Sequence, residues 1–154
     1  MNDALFFMDR VVVPVKPKAV LLYEGDNDVA SGFFPRVIFG KYQEFVNTLH
    51  KALPATHVYI ISIKPSPSRW KLWPVAVAVN DLLRKLADED PLVTFIDVAS
   101  PMLDSNGLPQ NDLYLSDKLH MTRKGYEIWR DAVRPVLLKG SEKTGIHETQ
   151  GETR

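Results

Sequence analysis

The sequence predicts a three-layer α/β/α domain built on a parallel sheet, and three observations carry that expectation. Apolar runs at residues 19–23 (AVLLY), 58–63 (VYIISI) and 93–98 (VTFIDV) are short, rich in branched residues and lack polar alternation. Strands covered on both faces read this way. Between the runs lie longer stretches whose apolar residues recur at helical spacing. Strands that alternate with helices are joined by right-handed crossovers, which makes neighbouring strands parallel.

Each element follows in order. Asn2 or Asp3 can cap a first helix with apolar residues Leu5, Met8 and Val12, and Pro14 and Pro17 end it. Residues 19–23 form the first strand, buried on both faces, and a polar loop covers residues 24–32. Pro35 opens a helix whose apolar face is Ile38, Tyr42, Phe45, Val46, Leu49 and Leu53, and Pro54 closes it. The second strand leads into KPSPSR at residues 64–69. Pro74 sits in the first turn of the next helix, with Val75, Val79, Leu82, Leu83 and Leu86 inward. The third strand precedes a long loop, residues 101–116, and such loops in compact domains are often functional. A last helix starts near Arg123 with Tyr126, Trp129, Val133 and Leu137 inward, and Pro135 is expected to kink or fray it. The domain therefore spans residues 1–139. Residues 140–154 are polar apart from Ile146 and read as a mobile tail.

Composition sets the function classes. The 154 residues suit one domain. Apolar residues at 45% and charged residues at 25% exclude disorder for the body of the chain. Lys+Arg and Asp+Glu are 19 each, so no basic excess exists to hold phosphate backbones, and no nucleic acid is expected as a partner. With no cysteine, disulfides, zinc–thiolate sites and a cysteine nucleophile are excluded. No apolar run is long enough to span a membrane. MNDALFFMDR has no basic n-region or cleavage site, so the chain as written is expected in the cytoplasm.

In a parallel sheet, ligands bind at the edge formed by the strand C-terminal ends. Residues 24–32, 64–69 and 101–120 meet there, and they are also the most polar loops. Asp117-Lys-Leu-His120 can place a carboxylate on Nδ1–H of the ring, fixing the tautomer and leaving Nε2 as a base. The plainer alternative is a turn followed by a surface histidine. Gly25-Asp26-Asn27-Asp28 follows the first strand. Its glycine permits a sharp turn, and the Asn27 NH2 can face developing negative charge. The plainer alternative is an ordinary polar turn. Glu24, Asp26 and Asp28 alternate like the start of a calcium loop, but Val29 and Pro35 stand where that loop needs Gly and Glu. Asp26, Ser66 and Arg69 are candidate cleft residues, although such an Arg is more often a solvated surface residue or an ion-pair partner. Trp70, Trp73 and Trp129 are better explained by packing.

Together the two blocks carry a resemblance. YEGDNDVASG resembles the G-x-N-D block of the SGNH (GDSL-like) hydrolases, and SDKLHMTRKGY resembles their D-x-x-H block. The resemblance implies a flavodoxin-like fold, ester hydrolysis through an acyl-serine, no cofactor, and a small ester as substrate. Carried over, His120 is the base, Asp117 orients it, and Asn27 with Gly25 forms part of the oxyanion hole; no metal is involved. The family's nucleophilic serine block and a following glycine block have no counterpart here, since no serine precedes Ser31. Ser31, four residues after Asn27, is the remote candidate for a replacement.

The same gap follows from the elements alone. Three strands make a narrow sheet, and the chain opens on a helix where a strand would normally stand. The expectation is an N-terminally incomplete domain, and the resemblance, with two family blocks lacking a counterpart, implies that about two strand–helix units are missing, roughly 60 residues at about 30 each. Such a chain should be weakly active or inactive. It should also associate with itself, with residues 19–23 or 5–13 at the interface, unless a missing N-terminal segment covers that edge. The alternative function is a non-catalytic interaction module using that same edge, and a third is a metal-dependent phosphohydrolase built on Glu24, Asp26 and Asp28.

Overall fold

The computed structural model describes residues 1–144. Along them run α1 (Asn2–Val11), β1 (Ala19–Leu22), α2 (Asp26–Ala30), α3 (Pro35–Ala52), β2 (His57–Ile61), α4 (Trp73–Glu89), β3 (Val93–Ile96) and α5 (Arg123–Thr144). Short 3-10 turns lie at Val13–Val15, Pro67–Leu72, Ser100–Met102 and Asn111–Leu113. The strands form one three-stranded sheet in the order β1-β2-β3, and both pairings are parallel. No helix among the described residues is long and apolar enough to cross a membrane.

The central strand shows why its sequence has no polar alternation. Val58 and Ile60 turn to one face, into a core with Ile38, Tyr42, Phe45 and Leu49 of α3 and Val79 and Leu83 of α4. Tyr59 and Ile61 turn to the other, where Trp129, Val133 and Leu137 of α5 cover them. Burying each such aliphatic side chain contributes about 1.5–3 kcal/mol. A third apolar cluster, Met102, Leu113, Tyr114 and Met121, anchors the long loop before α5. These packed faces hold all three strand C-terminal ends at one edge.

Several expectations need correction. Residues 19–23 are not buried on both faces. β1 stops at Leu22 and lies at the sheet edge, where Ala19 is exposed and Leu21 keeps 46% of its surface in solvent. Tyr126 is not inward but 58% exposed. Pro135 does not fray α5: the helix continues past it, and Ala132, Val133, Val136 and Leu137 on either side of it pack against the sheet. The helix also runs on through Gly140 to Thr144, where a tail was expected; residues 145–154 lie outside the described residues.

Candidate active site

Three loops build the site, and each is fixed by an identifiable contact. The first leaves β1 through Gly25, whose φ is +93°. The positive φ calls for glycine, and an added Cβ would stand 2.9 Å from Cδ1 of Ile63 and force that methyl to shift. Tyr42 Oη donates to the Glu24 carbonyl at 2.9 Å and ties this loop to α3. The second loop leaves β2 under control of Asn80 on α4. Asn80 Oδ1 accepts the Ile63 N–H at 2.8 Å and its Nδ2 donates to the Ile63 carbonyl at 2.9 Å, replacing a strand partner. The third is a hairpin closed by the Tyr114–Met121 bridge and by Leu115 N–H to the His120 carbonyl at 2.8 Å. Ser68 N–H donates to the Lys118 carbonyl at 3.1 Å, and Tyr114 Oη donates to the Pro65 carbonyl at 2.5 Å, so the second and third loops are joined.

At the tip of that hairpin one carboxylate does two jobs. Asp117 Oδ1 accepts the backbone N–H groups of Leu119 and His120 at 2.9 and 3.0 Å, which shapes the turn. Its Oδ2 lies 2.6 Å from His120 Nδ1. The hydrogen bond from His120, helped by the two N–H groups, lowers the Asp117 carboxyl from 3.8 to about 2. Asp117 is therefore ionised at neutral pH and accepts, so Nδ1 carries the proton and Nε2 keeps its lone pair. Nε2 has no partner among the described residues, and the side chain is 71% exposed.

His120 opens onto a cavity of about 330 Å³ shared with Gly25, Asp26, Asn27 and Lys64. Tyr23, Leu119, Met121 and Trp129 give it an apolar wall. Tyr23 and Trp129 meet edge to face at 4.7 Å. Tyr23 Oη is buried without a hydrogen-bond partner, and burial pushes the phenol up, so it stays neutral. Asn27 is oriented from behind. Arg69 Nη2 donates to its Oδ1 at 3.0 Å, while Arg69 Nη1 binds Asp26 at Oδ1 (2.8 Å) and at the carbonyl (3.0 Å). Lys64 Nζ, almost fully buried, completes the pairing with Asp26 Oδ2 at 3.2 Å. Arg69 thus occupies Oδ1, and the Asn27 NH2 has no hydrogen-bond partner among the described residues.

The acidic residues of the first loop are all paired with cations of the chain itself. Asp26 is held by Lys64 and Arg69; Glu24 lies 3.0 Å from the Met1 ammonium. Asp28 meets that ammonium at 3.2 Å and Lys41 at 3.0 Å. Burial raises the Asp28 carboxyl, but the hydrogen bond from Lys41 and the ammonium outweigh it and leave the pKa below the usual range. Among the described residues no three His, Cys, Asp or Glu groups come together as metal ligands.

The structure places Gly25, Asp26 and Asn27 around the cavity that His120 lines, with Asp117 against the His120 ring. It does not bring the other candidates to His120. Ser66 and Arg69 line a separate void of about 10 Å³ behind Asp26, and Ser66 Oγ is buried there without a partner. Ser31 is exposed at the C-terminal cap of α2, and among the described residues no serine lines the His120 cavity. Sequence reasoning missed Lys64, Asn80 and the aromatic wall. A lysine directly after a buried strand and an asparagine on the apolar side of α4 were the available signals.

The covered parallel sheet with this loop cluster at its C-terminal edge is the SGNH-hydrolase fold. The chain belongs to the GDSL-like Lipase/Acylhydrolase family, whose model matches residues 3–128. Solved structures share the fold at low identity. A GDSL-like lipase from Bacteroides thetaiotaomicron is 20% identical with a TM-score of 0.74, over 90% of this chain and 71% of that one. A carbohydrate esterase of family 3 from Talaromyces cellulolyticus is 21% identical with a TM-score of 0.72, over 90% and 68%. A family 3 carbohydrate esterase from Clostridium thermocellum is 15% identical with a TM-score of 0.68, over 90% and 66%. Across such structures the chain spans from 59% to 74% of the other protein's length. No curated protein matches the sequence.

Proposed function

We propose that this chain carries the base and oxyanion groups of a serine ester hydrolase for short acyl esters, acetylated sugars among them. The observation that carries the reading is the 2.6 Å Asp117–His120 contact opening onto the same cavity as Asn27. In the proposed reaction His120 Nε2 takes the proton of a serine hydroxyl as its oxygen bonds to the ester carbonyl carbon. The Asn27 NH2 donates to the carbonyl oxygen as it becomes negative. Collapse breaks the ester C–O bond, and the imidazolium returns its proton to the leaving alkoxide. Water then repeats the sequence on the acyl-serine. Asp117 keeps its charge throughout and stabilises the imidazolium. No cofactor is needed.

The apolar wall suits a short acyl chain, and the carbohydrate esterases of the same fold support a sugar ester. No wall residue supplies the serine, so the chain is expected to be weakly active or inactive by itself. Treatment with a fluorophosphonate followed by peptide mass spectrometry tests this directly. The expected result is no labelled serine. A label on Ser31 or Ser66 that disappears in His120→Ala would place the nucleophile within the chain.

A further inference from the structure

We infer that two copies of this chain pair antiparallel along their β1 edges, with Leu21 on the two-fold axis. The direction of the backbone groups comes first. His57 N–H donates to the Lys18 carbonyl at 3.0 Å, and β1 runs parallel to β2 with Ala19 beside His57 and Leu21 beside Tyr59. In such a ladder alternate residues address the neighbouring strand. Lys18, Val20 and Leu22 therefore face β2, and Ala19, Leu21 and Tyr23 turn their N–H and C=O groups outward. β1 is the last strand on that side among the described residues.

This edge carries none of the usual protection. Residues 19–23 contain no charge, proline or bulge that would repel a second strand. Ala19 and Leu21 are exposed. Charges stand only at the two ends of the run and are opposite in sign. Lys18 is exposed and makes no ion pair among the described residues. Glu24 holds the Met1 ammonium through Oε2 alone and is 36% exposed.

A closed two-fold contact between identical edges must be antiparallel. Centred on Leu21, it sets Ala19 opposite Tyr23 and Lys18 opposite Glu24. Every outward-facing residue then meets another outward-facing residue, as hydrogen-bonded antiparallel pairs require. Lys18 and Glu24 fall at the intervening positions, where opposed side chains are closest. A shift of one residue sets outward groups against inward ones. A shift of two sets Lys18 against Leu22 or against Asp26, which Lys64 and Arg69 already hold. Charge and hydrogen bonding thus select one register. Tyr23 and Glu24 also line the His120 cavity, so the second copy's Lys18 stands at its rim.

Light scattering at micromolar concentration tests the pairing without relying on the esterase reading. The wild type is expected at twice the 17.5 kDa chain mass. Lys18→Glu sets like charges together at both ends and should weaken the dimer about tenfold or more. Lys18→Glu combined with Glu24→Lys should restore it, with circular dichroism confirming that each variant is folded. In the wild-type dimer, hydrogen exchange at the Leu21 amide should slow as concentration rises. A wild-type monomer overturns the proposal. So does a dimer indifferent to Lys18→Glu, a folded double variant that stays monomeric, or a Leu21 amide whose exchange ignores concentration.

Discussion

Arg69 holds Asn27 from behind: its Nη2 donates to Asn27 Oδ1 at 3.0 Å while its Nη1 spans the Asp26 carboxylate and carbonyl. The guanidinium thus restrains the Asn27 carboxamide through its oxygen and leaves its NH2 unpaired among the described residues. This is preorganisation of the kind that lowers the cost of stabilising charge in a transition state.

Arg69→Ala should release that carboxamide. NMR of the Asn27 side-chain amide should show a shifted ¹⁵N resonance and exchange between two orientations, with the fold intact. Any His120-dependent ester turnover should fall about tenfold to a hundredfold, chiefly in kcat, because the donor is misplaced rather than removed. An unchanged Asn27 resonance would show that Arg69 does not orient it.

The Asp117–His120 pair predicts an acid response. The Asp117 carboxyl titrates at about 2 when folded, below its ordinary 3.8. A depressed carboxylate pKa contributes stability above the unfolded value and loses it as pH falls through the folded value. The contribution should therefore be complete above about pH 4 and fade toward pH 2. Carbon-detected NMR of the Asp117 carboxyl checks the midpoint. His120→Ala removes the largest cause, so the midpoint should move up toward the ordinary value.

Asn80→Ala should destabilise the fold by about 2–5 kcal/mol, since it strands a buried N–H and a buried carbonyl of Ile63. Urea unfolding measures this. The second loop hangs from that point, so Ser68 and Lys118 amide resonances should shift as well. A change below about 0.5 kcal/mol would mean that another group satisfies Ile63.

The parts of this molecule that could be read in the sequence are those set by local pattern. Helical spacing placed the buried face of α3 residue for residue, from Ile38 to Leu49. The strands follow from short unbroken apolar runs, and the D-x-x-H turn and the sharp turn at Gly25 from their residue types. Contacts between distant residues were not legible. Arg69 lies 42 positions from Asn27, and nothing near either residue states the pairing. Lys64 and Asn80 are polar side chains inside apolar surroundings, and only their partners in space explain them. The apolarity of residues 19–23 suggests complete burial, yet composition records what a strand can pack against, not which neighbours are present. Helical spacing points Tyr126 inward, but it is exposed in the first turn of α5, where it lines the His120 cavity.

The central claim is that Asp117, His120 and Asn27 form a base and an oxyanion donor over a cavity whose wall lacks the nucleophile. Turnover of p-nitrophenyl acetate, compared between the wild type and His120→Ala, tests it most directly. The account predicts a rate near the uncatalysed background for the wild type, with its small excess lost in His120→Ala. A wild-type rate approaching that of an ordinary enzyme, about 10 per second, would contradict the claim, and so would an excess rate that survives His120→Ala.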